Sequence, residues 1–462
     1  MTAPRVAVIA YFAPPARAVA RLRIARIIAS LTESGADVHV FRPAPPVWRP
    51  HFRLPADPLR NASGCVTVHD TPHPAPYLAP SRLAIEWADR IPRAYSFLDR
   101  LAKFYPDEDA VGWTRALQDT FLRYGRGDFD LVVVSGGPFT PILPSMALAR
   151  STGARFWVDY RDPFTDNPHI RRATRRRRAR DERNWLHAAD LITTVSPSHA
   201  ELLRAKLERG HERVTLLWNY MDAIGGGPDS PMRPEQCRLT YAGGFYRGSR
   251  EIAPLLTLLK RMGELEPRLC DWTFEYIGAE GDYVRAEADR LGVASRVECI
   301  GVVPSEESLR RQRGANAALC IASTAESPTA YECGNVSSKF FELLANSCRI
   351  VVIGPREHDL FSLSRTVSDV VYVDSRDVDV AAASLACALI AGIAPARSET
   401  ALTWTSQWSR ALLPALRRLA LPIGGPSVAE PAVDHQVPGS REHVIGDGQR
   451  GDGVAEVLDA MR

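Results

Sequence analysis

Lys339 and Glu342 stand three apart in the run Val336-Ser337-Ser338-Lys339-Phe340-Phe341-Glu342-Leu343-Leu344-Ala345, so a helix would put them on one face. Ser337 or Ser338 can cap that helix, which leaves the first-turn N–H groups and the positive end of the helix dipole open to an anion. A cation and a carboxylate at such a start suit the diphosphate and the ribose hydroxyls of a nucleotide; a surface ion pair is the alternative. A second cationic stretch is Gly243-Gly244-Phe245-Tyr246-Arg247-Gly248-Ser249-Arg250, at a strand-to-helix turn. Its glycines allow close approach of backbone, and the guanidinium forks of Arg247 and Arg250 match phosphate oxygens.

Three stretches in the first half could also do chemistry. Gly136 and Gly137 follow the apolar run Leu131-Val132-Val133-Val134-Ser135 and would let a ligand approach the backbone, or simply make a tight turn. Asp159-Tyr160-Arg161-Asp162-Pro163-Phe164 is expected just beyond a strand end, where functional groups collect; hydrogen bonds that order the loop are the other reading. Arg171 to Arg183 holds eight arginines, first of all a solvated helix face, with an anionic membrane surface or acceptor as the second option. No His, Cys or Asp cluster has the spacing of a metal site.

The elements that must position these groups alternate strand and helix, which predicts α/β layers with parallel sheets. Strands are expected at Arg5–Tyr11, Val38–Phe41, Leu131–Ser135, Phe156–Val158, Leu191–Ser196 and Val214–Leu217. A second series follows at Arg238–Ala242, Thr273–Ile277, Val297–Ile300, Ala317–Ile321, Arg349–Ile353 and Val370–Val373. Residues 43–80 are rich in proline and polar residues and predict little regular structure, and helices are expected about Ser81–Phe104 and Gly112–Tyr124. Gly225-Gly226-Gly227-Pro228 reads as a joint between domains. The organisation expected is 1–220, with an insertion about 43–125; 221–400; a closing helix at 401–421; and a largely disordered tail at 422–462.

With 462 residues, 45% hydrophobic and 24% charged, the composition is that of a soluble globular protein of several domains. Its eight cysteines show no CxxC spacing and read as reduced core thiols. The first strand begins within a few residues of Met1, leaving no room for a signal peptide, and the Ala-rich stretch Val380–Ala396 is too short for a span. A cytoplasmic protein is expected, with the inner face of the membrane as an additional location. Residues 1–220 carry 32 Lys and Arg against 22 Asp and Glu, and the remainder 25 against 32. A basic front half suits an anionic partner, phosphorylated substrate or lipid headgroups.

Together these features resemble glycosyltransferase family 4, in particular a bacterial branch with a Tyr-x-x-Pro-Pro start and a later Asp-x-Arg-Asp-Pro. The matching residues are Tyr11 with Pro14-Pro15, the helix bearing Arg23, Asp159 to Phe164, Asn219, Tyr241-Ala242-Gly243, and Lys339 with Glu342. The resemblance spans about residues 5–420. It implies a GT-B fold: two Rossmann-like domains facing each other across a crevice, with a C-terminal helix returning toward the first. It also implies retaining transfer of a sugar from a nucleotide-sugar without a required metal or any cofactor, and no nucleic-acid partner. Glu342 would then hold the ribose and Ser337, Ser338 and Lys339 the phosphates. Arg250, assisted by Arg247, would take the place of the family's diphosphate lysine. Gly243 and Gly244 would line the donor turn, and backbone near Gly301-Val302-Val303 would meet the base. Arg161 and Asp162 would stand where the first domain touches sugar or acceptor, with Ala18, Gly136 and Gly137 on the acceptor side.

Arg17-Ala18 replaces the family's paired glycines, Gly244 stands where an arginine is usual, and Gly334 occupies the position eight before Glu342 where the family has a glutamate. The acceptor stays open between a glycan, a lipid-linked saccharide and a small natural product. A hydrolase or epimerase of the same fold, and a non-catalytic nucleotide-binding paralogue, also remain open.

Overall fold

Seven of the strands line up in one parallel sheet and six in another, each in the doubly wound order that reverses direction at a central switch point. The structure is a computed structural model. It describes residues 3–16, 18–44, 54, 56–61, 66–72, 111–168, 172–219, 237–245, 249–325, 327–396, 402–421 and 423.

The first sheet contains β1 (Arg5–Ile9), β2 (Asp37–Pro43), β3 (Val66–Thr71), β4 (Leu131–Ser135), β5 (Arg155–Tyr160), β6 (Leu191–Thr194) and β7 (Val214–Leu216), in the order β3-β2-β1-β4-β5-β6-β7. Between and around them lie α1 (Ala20–Glu33), α2 (Pro58–Asn61), α3 (Val111–Phe121), α4 (Ile142–Thr152), α5 (Arg172–Ala188) and α6 (Pro197–Arg204). Ile24, Ile27, Ile28 and Leu31 recur at helical spacing in α1 and are all buried against Val6, Val8, Val38 and Val40. Burying each such side chain contributes roughly 1.5–3 kcal/mol.

The second sheet runs β10-β9-β8-β11-β12-β13. Its strands are β8 (Arg238–Ala242), β9 (Thr273–Ile277), β10 (Val297–Cys299), β11 (Ala317–Ile321), β12 (Ile350–Gly354) and β13 (Val370–Asp374). Its helices are α7 (Ile252–Leu265), α8 (Gly281–Leu291), α9 (Ser305–Arg313), α10 (Ala330–Cys333), α11 (Ser338–Ala345), α12 (Asp359–Ser364) and α13 (Val378–Ala391). The chain then returns to the first domain. Trp404, Trp408, Leu412 and Leu416 join the core on the α1 side of the first sheet, and the Trp404 indole N–H donates to Ser30 Oγ at 2.8 Å. One turn of π-helix, Trp408–Leu412, interrupts this closing segment, which is expected from sequence as a single helix.

Several expectations are corrected. Residues 43–80 are not without structure, because β3 pairs with β2 from Val38↔Val66 to Pro43↔Thr71. As the edge of the sheet it tolerates Thr67, His69 and Asp70, and this polar content hides it. Asp159 and Tyr160 belong to β5 rather than to the loop after it. Cys270 and Cys387 are exposed, whereas Cys237, Cys320, Cys333 and Cys348 are buried thiols. The helix expected about Ser81–Phe104, the joint Gly225–Gly227 and the tail beyond 423 lie outside the described residues, as does most of the insertion. Among the described residues no helix is long and apolar enough to cross a membrane.

Candidate functional site

The switch points fall between β1 and β4 in the first sheet and between β8 and β11 in the second. At the carboxyl ends of such strands loops diverge and leave a crevice. In the second domain the loop after β8 is tied to the loop after β11. Thr324 N donates to Ser249 O at 2.8 Å, Ser323 Oγ to the same carbonyl at 3.1 Å, and Glu251 N to Thr324 Oγ1 at 2.9 Å. Arg250 sits in the middle of this tie and is buried. Its guanidinium is close enough to act on His358, whose imidazole is pushed down to about 3 by burial first, then by the Arg250 and His199 charges, against a pull from the Asn335 backbone. Asn335 lies two residues before Ser337, the N-cap of α11. Arg250 and the Asn335 backbone that leads into α11 thus both lie near His358.

Ser337 caps α11 by accepting from Lys339 N at 3.3 Å, and Ser338 is the first helical residue. Lys339 Nζ and Glu342 Oε2 are 2.7 Å apart on a half-buried face, while Phe340, Phe341, Leu343 and Leu344 anchor the other face in the core. The ion pair is partly solvated, so it adds little to stability.

The turn after β8 differs from expectation. Gly243, at φ +144°, adopts a conformation that favours glycine. The N–H of Phe245, however, donates to Glu280 Oε2 at 2.6 Å, and a Cβ on Gly244 would lie 3.4 Å from that oxygen. One of the backbone donors expected to face phosphate at this turn is thus taken by a carboxylate. Arg247 lies outside the described residues. Val302 follows Gly301 beyond β10 and is 42% exposed at the rim.

In the first domain, Arg161 is not a free cation. It is buried, its Nε donates to Gly136 O at 3.0 Å and its Nη2 to Gly137 O, and the guanidinium lies 5.8 Å from the Phe12 ring centroid. Gly137 has φ +81°, and a Cβ there would meet Arg161 Nη2 at 2.8 Å. Arg161 thus holds the Gly136-Gly137 loop, and Asp162 beside it is half-buried. Ala18 is half-buried near the start of α1.

Beneath this loop, Asp159 is fully buried and receives Arg23 Nη2 at 2.6 Å and Nε at 3.0 Å, Thr193 Oγ1 at 2.6 Å and Ser135 Oγ at 3.1 Å. Burial alone would raise this carboxyl. The Arg23 charge, with help from Thr193 and Arg161, outweighs burial and holds it below the usual range. Arg23 Nη1 also donates to Leu217 O at 2.8 Å and Asn219 Oδ1 at 3.2 Å. It thereby ties α1 and β5 to the chain leaving the first domain.

Sequence reasoning missed the groups by which the domains touch. Ser198 N and Oγ each donate to the Asp359 carboxylate at 2.8 Å, and His199 Nε2 donates to Tyr331 O at 3.0 Å. These contacts set the carboxyl edges of the two sheets face to face. The available signal was a Ser-Pro-Ser-His run directly after a strand, matched by a His-Asp pair after another. Gly334 leaves no room for the glutamate of the resembled family, since even a Cβ would collide with His199. Glu332 closes a capping box with Thr329 instead. Among the described residues no group of three or more His, Cys, Asp or Glu could hold a metal ion.

Residues 20–219 match the family model for a glycosyl transferase 4-like domain. Among solved structures, an alpha,alpha-trehalose-phosphate synthase (UDP-forming) from Burkholderia vietnamiensis superposes with a TM-score of 0.51 at 14% identity, covering 90% of this chain and 97% of that one. A structure described as trehalose-6-phosphate from E. coli bound with UDP-2-fluoro glucose gives 0.51 at 13%, covering 90% and 96%. The apo form of the lipopolysaccharide outer core galactosyltransferase WaaB gives 0.50 at 14%, covering 84% and 90%. At these identities the likeness is one of fold. No curated protein matches the sequence.

Proposed function

We propose, from a GT-B-like fold of two parallel-sheet domains and the match of residues 20–219 to a glycosyl transferase 4-like domain, that the protein moves a hexosyl group from a nucleotide-sugar to an acceptor, with retention and without a metal. The observation that carries this is the capped start of α11 with Lys339 and Glu342 paired on one face, in a domain whose loops meet the first domain through Asp359. That the E. coli neighbour holds UDP-2-fluoro glucose supports a uridine diphosphate sugar as the donor class.

The bond from the sugar's anomeric carbon to the leaving diphosphate breaks, and a bond to the acceptor oxygen forms on the same face. The acceptor's proton passes to a leaving-phosphate oxygen. Negative charge grows on that phosphate, and fixed cations with helix N–H groups are a metal-free way to stabilise it. Of the carboxylates described around the crevice, Asp159 pairs with Arg23, Asp359 with Ser198, Glu280 with the Phe245 N–H and Glu342 with Lys339, and Glu332 closes its capping box. This supports same-face departure and attack over a carboxylate nucleophile.

In a thermal-shift screen, UDP and UDP-sugars should raise the unfolding temperature with the logarithm of their concentration, as ligands of the native state do. Transfer to a supplied acceptor should persist in excess EDTA. No shift with any nucleoside diphosphate removes the donor site. Chelator inhibition reversed by magnesium or manganese removes the metal-free mechanism. Release of free sugar or an epimer without any acceptor would replace transfer by hydrolysis or epimerisation.

Arg175, Arg176, Arg177 and Arg180 on α5 are exposed, and we propose that this face meets anionic lipid at the inner face of the membrane. The protein should pellet with anionic but not neutral vesicles and be released by salt, since exposed charges are screened within about 10 Å at 0.1 M. Equal pelleting with both leaves only a solvated face.

A further inference from the structure

The domain contact is built around a glycine that has no conformational reason to be one. Gly334 has an ordinary right-handed backbone, φ −84°. Space is what it supplies: a Cβ there would come 2.2 Å from His199 Cδ2, 2.6 Å from His199 Nε2 and 2.8 Å from Ser196 Oγ, all of the other domain. Those distances are below any real carbon contact, and the imidazole is fully buried and cannot swing away.

His199 is held from both sides. Ser196, the N-cap of α6, accepts from its backbone N–H, and Nε2 donates to Tyr331 O, which fixes the neutral tautomer. Its Nδ1 is buried and has no hydrogen-bond partner among the described residues. Burial pushes this imidazole down to about 4, so it is uncharged at neutral pH. Alongside, the Ser198 N–H and hydroxyl hold the Asp359 carboxylate. On the far side of Gly334 the chain passes through Asn335 to Ser337 and into α11, which carries Lys339 and Glu342.

We propose that His199 and Gly334 are a positioning pair: the imidazole of the first domain seats on the bare backbone of the second and, with Ser198 and Asp359, latches the two domains at the spacing at which the start of α11 meets the first domain. Its bearing on turnover rests on the transfer reading above; the latch itself does not. Neither residue is assigned to the donor in the transfer reading. They act by setting where α11 stands, so their loss should separate turnover from nucleotide affinity.

The test is a suppressor pair. Gly334→Ala in the full chain should open the contact, seen as a larger radius of gyration by solution scattering and faster amide exchange in the peptide containing Ser198. Turnover should fall at least tenfold while UDP affinity stays within about twofold. His199→Ala, added to Gly334→Ala, removes the imidazole, the nearer of the two groups that the new methyl strikes, and leaves only the Ser196 hydroxyl, at 2.8 Å, to shift aside. It should return the radius, and turnover should recover to the level of His199→Ala alone. Parental radius and exchange in Gly334→Ala, a defect that His199→Ala does not relieve, or a loss of UDP binding equal to the loss of turnover would each overturn the latch. Should Gly334→Ala fail to fold, Ser198→Ala, which adds no volume, must speed exchange at 196–199 by itself, and parental exchange there overturns the proposal. Scattering and exchange involve no sugar or nucleotide, so an open Gly334→Ala protein with no transfer activity in the parent would sink the transfer reading and leave the latch standing.

Discussion

Arg23→Met should destabilise the first domain by about 3–5 kcal/mol, the range for removing one partner of a buried ion pair. Asp159 has no exposed surface and Arg23 is 6% exposed, so methionine would strand a carboxylate in the interior, faced by the Ser135 and Thr193 hydroxyls and the weaker pull of the Arg161 charge. Asp159→Asn should act similarly from the other side. Replacing both partners with apolar residues should recover much of the loss, because no charge is then left unpaired. The pH dependence follows from the carboxyl being held below its usual range. Its contribution is complete above the unfolded value, near 3.9, and is lost as pH falls through the lower folded value, so Asp159→Asn should flatten the acid limb of the stability curve. Urea unfolding of the first domain's transition, followed apart from the second because two domains need not unfold together, measures both. A loss under 1 kcal/mol for Arg23→Met would show that water or another group satisfies Asp159.

How much of this was legible depends on whether a feature is local. Strands such as β4 and β12 announce themselves because all their residues are buried, so nearly every side chain is apolar. The Lys339–Glu342 pair was legible for the same reason, since helical spacing alone brings the two together. Asp159 was misread as a loop residue because a carboxylate inside a central strand is tenable only with a partner, and that partner, Arg23, comes from a helix far earlier in the chain. Arg161 was read only as standing where the first domain touches sugar or acceptor, because a sequence cannot show the Gly136 and Gly137 carbonyls that it binds. Gly334 is the sharpest case. By position it looks like a missing glutamate; in three dimensions it is the space that His199 of the other domain requires. Pairings made across the chain leave residues in the sequence without a visible reason, and here they are the ones that set the shape of the crevice.

Lys339→Ala should weaken nucleoside diphosphate binding by about 1.5–3 kcal/mol, the range for hydrogen bonds to charged groups, or roughly 10- to 150-fold in Kd. The ammonium now lies 2.7 Å from Glu342, and this pairing makes the two substitutions unequal. A diphosphate entering at the start of α11 must draw Lys339 away from Glu342, whereas a ribose that hydrogen-bonds the carboxylate helps to release it. Glu342→Ala therefore removes the ribose contact but also frees Lys339 for phosphate, and its net effect on UDP should be the smaller of the two. The roles separate on truncated ligands: Lys339→Ala should lose affinity for UDP and pyrophosphate but not for uridine, and Glu342→Ala should lose it for uridine and hold or gain it for pyrophosphate. The fold should survive both changes, because the α11 anchors Phe340, Phe341, Leu343 and Leu344 are on the opposite face. Calorimetric titration of the three ligands against both variants decides the matter. Unchanged UDP affinity in the two variants would mean that the pair is only a solvated salt bridge, and a parallel loss of uridine and pyrophosphate in each would mean that the helix start binds nucleotide as a unit with no division of labour between cation and carboxylate.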